Sequence, residues 1–231
     1  MSVLRGLYPI VDLTTLDARG ISPEAYAAAL LPSEPSLLQL RAKDASDERL
    51  AAVASDIARL CEGTATRFVL NDRPDLALEL GIAWAHIGQT DFPAGEAQLP
   101  LRWSKLHIGV STHTPSQLSL ALSLEPAYVA FGPVFDTTSK QTPDSTVGLA
   151  GLRAAAALAG RKGVPLVAIG GIAEPRLYEV EPHTDMVAVI SALVPAEGVA
   201  PFSPSFFAEV TRRAESFQRA FRRVARREEP A

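Results

Sequence analysis

The chain has 231 residues, 22 Lys+Arg against 26 Asp+Glu, a net charge of −4, and 47% apolar side chains. This is the composition of a soluble globular protein, neither disordered nor fibrous. No apolar run reaches the roughly 18–20 residues of a membrane span, and the slight acidity argues against nucleic acid as the main partner. A single cysteine, Cys61, excludes an internal disulfide framework and suits a reducing cytosol, while the opening residues reach Asp12 too early for a signal peptide.

Short β-rich runs alternate with helical patterns from end to end. Leu7–Val11 is followed by a helix over Pro23–Leu31, which Ser22 and Pro23 open with a capping hydroxyl and a first-turn proline. Leu37–Leu40 precedes a helix over Asp47–Glu62, closed by Gly63. Arg67–Leu70 leads to Pro74–Leu80, and Trp84–Ile87 to a weak helical stretch near Glu96–Leu101. Leu106–Val110 leads to Ser116–Leu124, and Tyr128–Phe131 to Leu149–Ala159, where Gly160 sits at the expected helix end. Leu166–Ile169 leads to Pro175–Val180, and Met186–Ile190 to a last helix over Pro204–Arg226.

Strands separated by single helices imply right-handed crossovers and a parallel sheet. Eight such units in about 230 residues predict an α/β fold, a single (β/α)8 TIM barrel spanning 1–231 with 203–227 as its last helix. An open doubly wound sheet is the competing architecture, but no G-x-G-x-x-G follows the first strand. In the last helix Phe206, Phe207, Val210, Ala214, Phe217, Phe221 and Val224 form one apolar face, and arginines from Arg212 to Arg227 crowd the rest. This predicts a solvated outer helix face. The oligomeric state stays open, a homo-oligomer included.

A barrel carries its functional groups at the C-terminal ends of its strands. Leaving the second strand, Gln39, Arg41 and Lys43 alternate with Leu38 and Leu40. If the leucines face the helices, an amide and two cations face the mouth, where an anion could be held and Arg41 would not be part of the core. Asn71 and Asp72 end the third unit, and Asp91 lies just past the fourth. Neighbouring strands lie about 4.8 Å apart, so Asp72 and Asp91 could share a Mg²⁺, an ion that takes one or two carboxylates. Helix capping or ion pairing is the alternative for either one.

Past the sixth strand, Thr137, Thr138, Ser139 and Lys140 offer hydroxyls, amides and a cation to a phosphate, although such a loop is also ordinary turn chemistry. Gly170 and Gly171 end the seventh strand and let backbone amides approach a ligand, and Ile190-Ser191 ends the eighth. Loops after strands seven and eight form the recurring phosphate site of this barrel class. Two anion sites on opposite sides of one mouth, with Ser111 and Lys140 between them, suit the joining of two phosphorylated small molecules. His86 and His107 fall inside strands and read as satisfied core residues, and no role attaches to His113. Trp84 and Trp103 read as packing.

In order along the chain, Leu7-Tyr8-Pro9-Ile10-Val11-Asp12, Gln39 through Asp44, Asn71-Asp72 and His86 through Asp91 resemble the thiamine phosphate synthase (thiamine-phosphate pyrophosphorylase) family. Gly109 through His113, Phe131 through Phe135, Ala168 through Ile172 and Val189 through Ala192 continue the resemblance. It implies a (β/α)8 barrel that joins an aminopyrimidine methyl diphosphate to a thiazole phosphate, giving thiamine phosphate and pyrophosphate. Gln39, Arg41, Lys43, Asn71, Ser111 and Lys140 would hold the pyrimidine diphosphate, with Arg41, Lys43 and Lys140 stabilising the leaving group. Asp72 and Asp91 would bind Mg²⁺. Thr137, Thr138, Ser139, Gly171, Ile190 and Ser191 would hold the thiazole phosphate. Ser139 stands where the family usually has Thr, which keeps the hydroxyl. The resemblance further implies a dissociative course, in which a pyrimidine-methyl cation is captured by the thiazole nitrogen. A thiazole tautomerase-like paralogue and a non-catalytic regulatory protein that binds thiamine phosphate are the alternatives. Small phosphorylated substrates, and neither nucleic acid nor membrane, are the expected partners, in the cytoplasm.

Overall fold

The eight short runs each send alternate side chains to opposite faces, and both faces are apolar for most of their length, as strands buried on two sides require. The computed structural model describes residues 3–91, 99–137, 145–196, 200–201 and 203–225, with side chains through 221. Its strands are β1 (Gly6–Asp12), β2 (Leu37–Arg41), β3 (Arg67–Asn71), β4 (Trp84–Ile87), β5 (His107–Thr112), β6 (Tyr128–Phe131), β7 (Leu166–Ile169) and β8 (Met186–Val189). They pair in parallel in chain order, and β8 returns to β1 to close the barrel. The helices are α1 (Leu13–Asp17), α2 (Pro23–Leu30), α3 (Asp47–Cys61), α4 (Pro74–Glu79), α5 (Pro115–Ser123), α6 (Gly148–Lys162), α7 (Leu177–Val180) and α8 (Pro204–Ala225).

Leu38, Leu40, Leu70, Ile87, Val110, Val129, Ala168 and Val187 point outward and pack with the helices in the larger core. Tyr8, Ile10, Leu37, Val69, Tyr128, Ala130, Val167, Met186 and Ala188 fill the barrel interior. Leu38 and Leu40 therefore take the helix side, and Gln39 and Arg41 take the inner one.

The differences from the sequence reading have local causes. α1 is absent from the expected elements; Asp12 caps it, accepting from the Thr15 amide at 2.9 Å and the Thr15 hydroxyl at 2.7 Å. α6 runs past Gly160 to Lys162, because the left-handed residue that ends it is Gly163 at φ +65°. The expected helix over Pro175–Val180 is a 3-10 turn, Glu174–Arg176, followed by the single turn of α7. Residues 92–98, which hold most of the weak stretch near Glu96–Leu101, lie outside the described residues, and Leu101–Trp103 is a 3-10 turn.

The apolar stripe of α8 is buried at Phe206, Val210, Ala214, Phe217 and Phe221. At the base of the barrel its Gln218 Oε1 accepts the Leu7 amide at 2.7 Å. Its arginines are not all solvated. Arg213 is half-buried, pairs with Glu209 at 2.7 Å, and donates to the carbonyls of Ala192 at 3.2 Å and Val194 at 3.0 Å. Arg19 donates to the carbonyls of Pro195 and Ala196 from the other side. The segment that follows β8 is thus clamped by two guanidiniums.

Candidate active site

The C-terminal ends of β5 to β8 surround a cavity of about 380 Å³, within the size range of small-molecule sites. Ser111, Thr137, Gly171, Ile190 and Ser191 all line it, together with His113, Gly132 and Gly170. Five of the expected substrate-binding residues, drawn from four separate strand ends, therefore meet in one place. Thr138, Ser139 and Lys140 lie outside the described residues.

Glycines bring the cavity walls together. At Gly171, φ +63°, a Cβ would lie 2.4 Å from the Asp136 carbonyl oxygen. At Gly170, φ +99°, it would lie 2.5 Å from Pro133 Cα. Only residues without a side chain let the β7 turn lie against the loop after β6 with its backbone in the left-handed region. The Val134 amide donates to the Ile169 carbonyl at 2.8 Å and the Phe135 amide to the Gly170 carbonyl at 3.1 Å, which ties the two turns together. His113 Nδ1 lies 2.7 Å from the Gly132 carbonyl oxygen on the same rim.

Across the mouth, Arg41 at the end of β2 forms a buried ion pair with Asp12 at the end of β1. The two side chains are only 11% and 2% exposed. Arg41 is thus largely enclosed, which corrects the expectation that it stands clear of the core. Asp12 orients it while capping α1, so one carboxylate serves both the helix and the guanidinium. Lys43 is exposed just past the strand, and Asn71 is half-buried at the inner end of β3.

Asp72 follows Asn71 with φ +60°, and its amide donates to the His86 carbonyl at 2.7 Å. A non-glycine residue keeps that backbone only where its surroundings impose it. The N-cap position of α4 falls on Arg73, which makes no side-chain capping bond. Asp91 Oδ2 accepts the Gly88 amide at 2.7 Å, closing its own turn after β4. Local capping is therefore part of the role of Asp91, with Oδ1 making no hydrogen bond among the described residues. No group of three or more His, Cys, Asp or Glu side chains gathers as a metal cage among the described residues. Two carboxylates at adjacent strand ends fit an ion that takes one or two and completes its shell with water and phosphate.

Between these halves lies a buried line of polar side chains unforeseen in the sequence. Gln39 Nε2 donates to Tyr8 Oη at 2.6 Å, and Tyr8 Oη lies 2.6 Å from Tyr128 Oη. Tyr128 Oη lies 3.0 Å from His86 Nδ1, and His86 Nε2 lies 2.7 Å from Ser111 Oγ. Burial raises the ionisation of both phenols well above the usual range, so they stay neutral. His86 is a satisfied interior residue, as expected, yet its partner is a candidate site residue.

A closed parallel eight-stranded barrel with its cavity among the C-terminal strand ends has the architecture of (β/α)8 enzymes, which carry their sites at that face. The family model described as thiamine monophosphate synthase matches residues 7–193. A thiamine-phosphate synthase of Koribacter versatilis is 38% identical over 194 residues, covering 81% of this chain and 88% of its own length. That of Chlorobium phaeobacteroides is 38% identical over 189 residues, covering 79% and 88%. A thiamine phosphate pyrophosphorylase structure from Pyrococcus furiosus superposes with a TM-score of 0.77 at 24% identity, covering 95% of this chain and 96% of that one. The chain belongs to the thiamine monophosphate synthase family, and with it to the transferases. No helix among the described residues is long and apolar enough to cross a membrane.

Proposed function

We propose that this chain joins an aminopyrimidine methyl diphosphate to a thiazole phosphate, forming thiamine phosphate and releasing pyrophosphate. The observation that carries the reading is the meeting of Ser111, Thr137, Gly171, Ile190 and Ser191 on one cavity, across the mouth from the Asp12-held Arg41. A pocket walled by hydroxyls and glycine backbone, without a cationic side chain among its described lining residues, suits the phosphate of an incoming nucleophile, and a fixed guanidinium suits a departing polyanion.

The C–O bond to pyrophosphate breaks with its electron pair leaving on oxygen, and the thiazole nitrogen supplies the pair for the new C–N bond. That nitrogen carries no proton to remove, so no general base is required. Arg41, Lys43 and Lys140 meet the growing negative charge, and Arg41 does so with little reorganisation because Asp12 already holds it. The cavity walls position the thiazole and keep water from intercepting the electron-poor methylene carbon. Asp72 and Asp91 would hold Mg²⁺, which would neutralise charge on the leaving pyrophosphate. A cytoplasmic setting accords with a lone, buried thiol.

Supplying both substrates with Mg²⁺ and following pyrophosphate and thiamine phosphate tests the reading. Expected is turnover that a chelator abolishes and Mg²⁺ restores. Binding of thiamine phosphate without turnover would instead indicate a regulatory module.

A further inference from the structure

The buried side chains between Gln39 and Ser111 cross the barrel from β2 through β1, β6 and β4 to β5, and with the Gln39 amide donating to Tyr8 the remaining protons follow in one direction. Gln39 Nε2 has its hydrogens to give, so Tyr8 Oη accepts there at 2.6 Å. The single Tyr8 proton then goes to Tyr128 Oη at 2.6 Å. The single Tyr128 proton goes to His86 Nδ1 at 3.0 Å. With Nδ1 accepting, the imidazole proton sits on Nε2 and is donated to Ser111 Oγ at 2.7 Å. Ser111 already accepts at Oγ, so its own proton is available to the cavity that it lines. At the other end, Gln39 Oε1 accepts no hydrogen bond among the described residues, although the residue is only 3% exposed.

The surrounding packing holds this line in place. A Cβ on Gly109 would lie 2.0 Å from Tyr128 Cζ and 2.4 Å from its Oη, so the phenol crosses a space that only glycine leaves open. The Tyr128 ring stands edge-on to Tyr8 and nearly parallel to His86, with centroids 5.6 Å apart in both pairs. Reversing any one hydrogen bond strands a donor or an acceptor in the interior, which is costly, so the five groups keep or change direction together.

We propose that this line is a polarity relay: it fixes His86 as the Nε2–H tautomer, which leaves Gln39 Oε1 as an acceptor at one end and turns the Ser111 hydroxyl into a donor toward the cavity at the other. An aminopyrimidine carries the complementary pair, an amine that donates and a ring nitrogen that accepts. Tyr8, Tyr128 and His86 are then positioning residues that never touch substrate, and they select a ring by the direction of its hydrogen bonds. The assignment of the ligand rests on the proposed function, whereas the assignment of the tautomer does not.

The full chain, labelled with ¹⁵N at histidine, gives the first arm of the test. The His86 Nε2 signal should be that of a protonated nitrogen and Nδ1 that of a bare one. In Tyr128→Phe, which removes the Nδ1 donor, the tautomers should mix. Steady-state kinetics give the second arm. Tyr128→Phe should raise KM for the pyrimidine diphosphate about tenfold, the scale of one hydrogen bond left unmade, with KM for the thiazole phosphate within twofold. His86→Gln, whose amide can still donate toward Ser111, should keep more of the pyrimidine affinity than His86→Leu. Tyr8→Phe breaks the line one step further away and serves if the His86 variants fail to fold. An Nδ1–H tautomer in the wild type overturns the proposal. So does an unchanged pyrimidine KM in both tyrosine variants of an active enzyme. Absence of wild-type turnover would instead remove the proposed function, leaving the tautomer to be decided by the labelled protein alone.

Discussion

Removing Arg41 should separate its electrostatic contribution to turnover from its contribution to folding. The Asp12 carboxylate is 2% exposed, and besides the guanidinium only the amide and hydroxyl of Thr15 donate to it among the described residues. Breaking a buried ion pair by deleting one partner typically costs 3–5 kcal/mol, because the other charge stays behind. The two Thr15 bonds place Arg41→Leu at the lower end, about 3 kcal/mol. At roughly 2–4 °C per kcal/mol for a chain of this size, the midpoint should fall by roughly 6–12 °C. Adding Asp12→Asn removes the stranded charge while keeping a good N-cap for α1, so the double variant should regain about 2 kcal/mol. Turnover should not return with stability. Both Arg41→Leu proteins should release pyrophosphate about 10²–10³ times more slowly, the usual loss for one preorganised donor to developing charge. Denaturant melts and a coupled pyrophosphate assay measure the two effects on the same preparations. A single variant as stable as the wild type, or a double variant no more stable than the single, would refute the claim that the pair is coupled.

Gly171→Ala should be poorly tolerated, since its Cβ would lie 2.4 Å from the Asp136 carbonyl oxygen at φ +63°. The loop after β6 must retreat, so KM for the thiazole phosphate should rise about tenfold while that for the pyrimidine diphosphate changes little; equal changes would refute the division of the mouth. Asp91→Asn keeps an acceptor for the Gly88 amide but loses a charge, so the Mg²⁺ concentration for half-maximal turnover should rise several-fold with the melting midpoint nearly constant. An unchanged metal titration would leave Asp91 as a turn cap alone. Burial raises the phenols of Tyr8, Tyr26 and Tyr128 above the usual 10.0. Above pH 10 the unfolded chain releases these protons while the native one keeps them, so stability is fully present below that point and falls as pH rises, by about 1.4 kcal/mol per unit for each phenol. Chemical denaturation between pH 9 and 12 should show this slope, and Tyr128→Phe should make it shallower.

Much of this architecture is written in local patterns. The outward Leu38 and Leu40 fix the inward direction of Gln39 and Arg41 through period-two alternation alone, and the paired glycines after β7 mark a close backbone approach that the structure contains. What escaped the sequence depends on contacts between distant strands. Asp12 reads as the end of a strand until β1 and β2 pair with Asp12 beside Arg41. Tyr8 and Tyr128 are 120 positions apart, and each alone is an ordinary aromatic residue on an interior face. Gly109 carries the one available hint, a glycine inside a strand, which signals close approach by another group. Arg213 was hidden by its company: among many arginines on one helix, only three-dimensional placement shows that it clamps the β8 turn rather than facing water.

These long-range contacts divide the mouth in a way that suits a reaction between two anions. The side built by β1 and β2 carries the Arg41 guanidinium, oriented by the buried Asp12 carboxylate, with the exposed Lys43 just past β2. The side built by β5 to β8 is lined by hydroxyls, glycines and apolar groups, with Asp136 its one charged lining residue among those described. If both sides used strong cations, either phosphate could bind either side, and productive and inverted complexes would compete. On the proposed function, a guanidinium on one side and uncharged donors on the other would make affinity depend on charge, steering the diphosphate to the first and leaving the second to the monophosphate. Exchanging that asymmetry, for example with Ile190→Lys on the side built by β5 to β8, should produce inhibition by excess pyrimidine diphosphate as it occupies both sides. Steady-state curves that stay hyperbolic in that substrate would show that shape rather than charge keeps the two ligands apart.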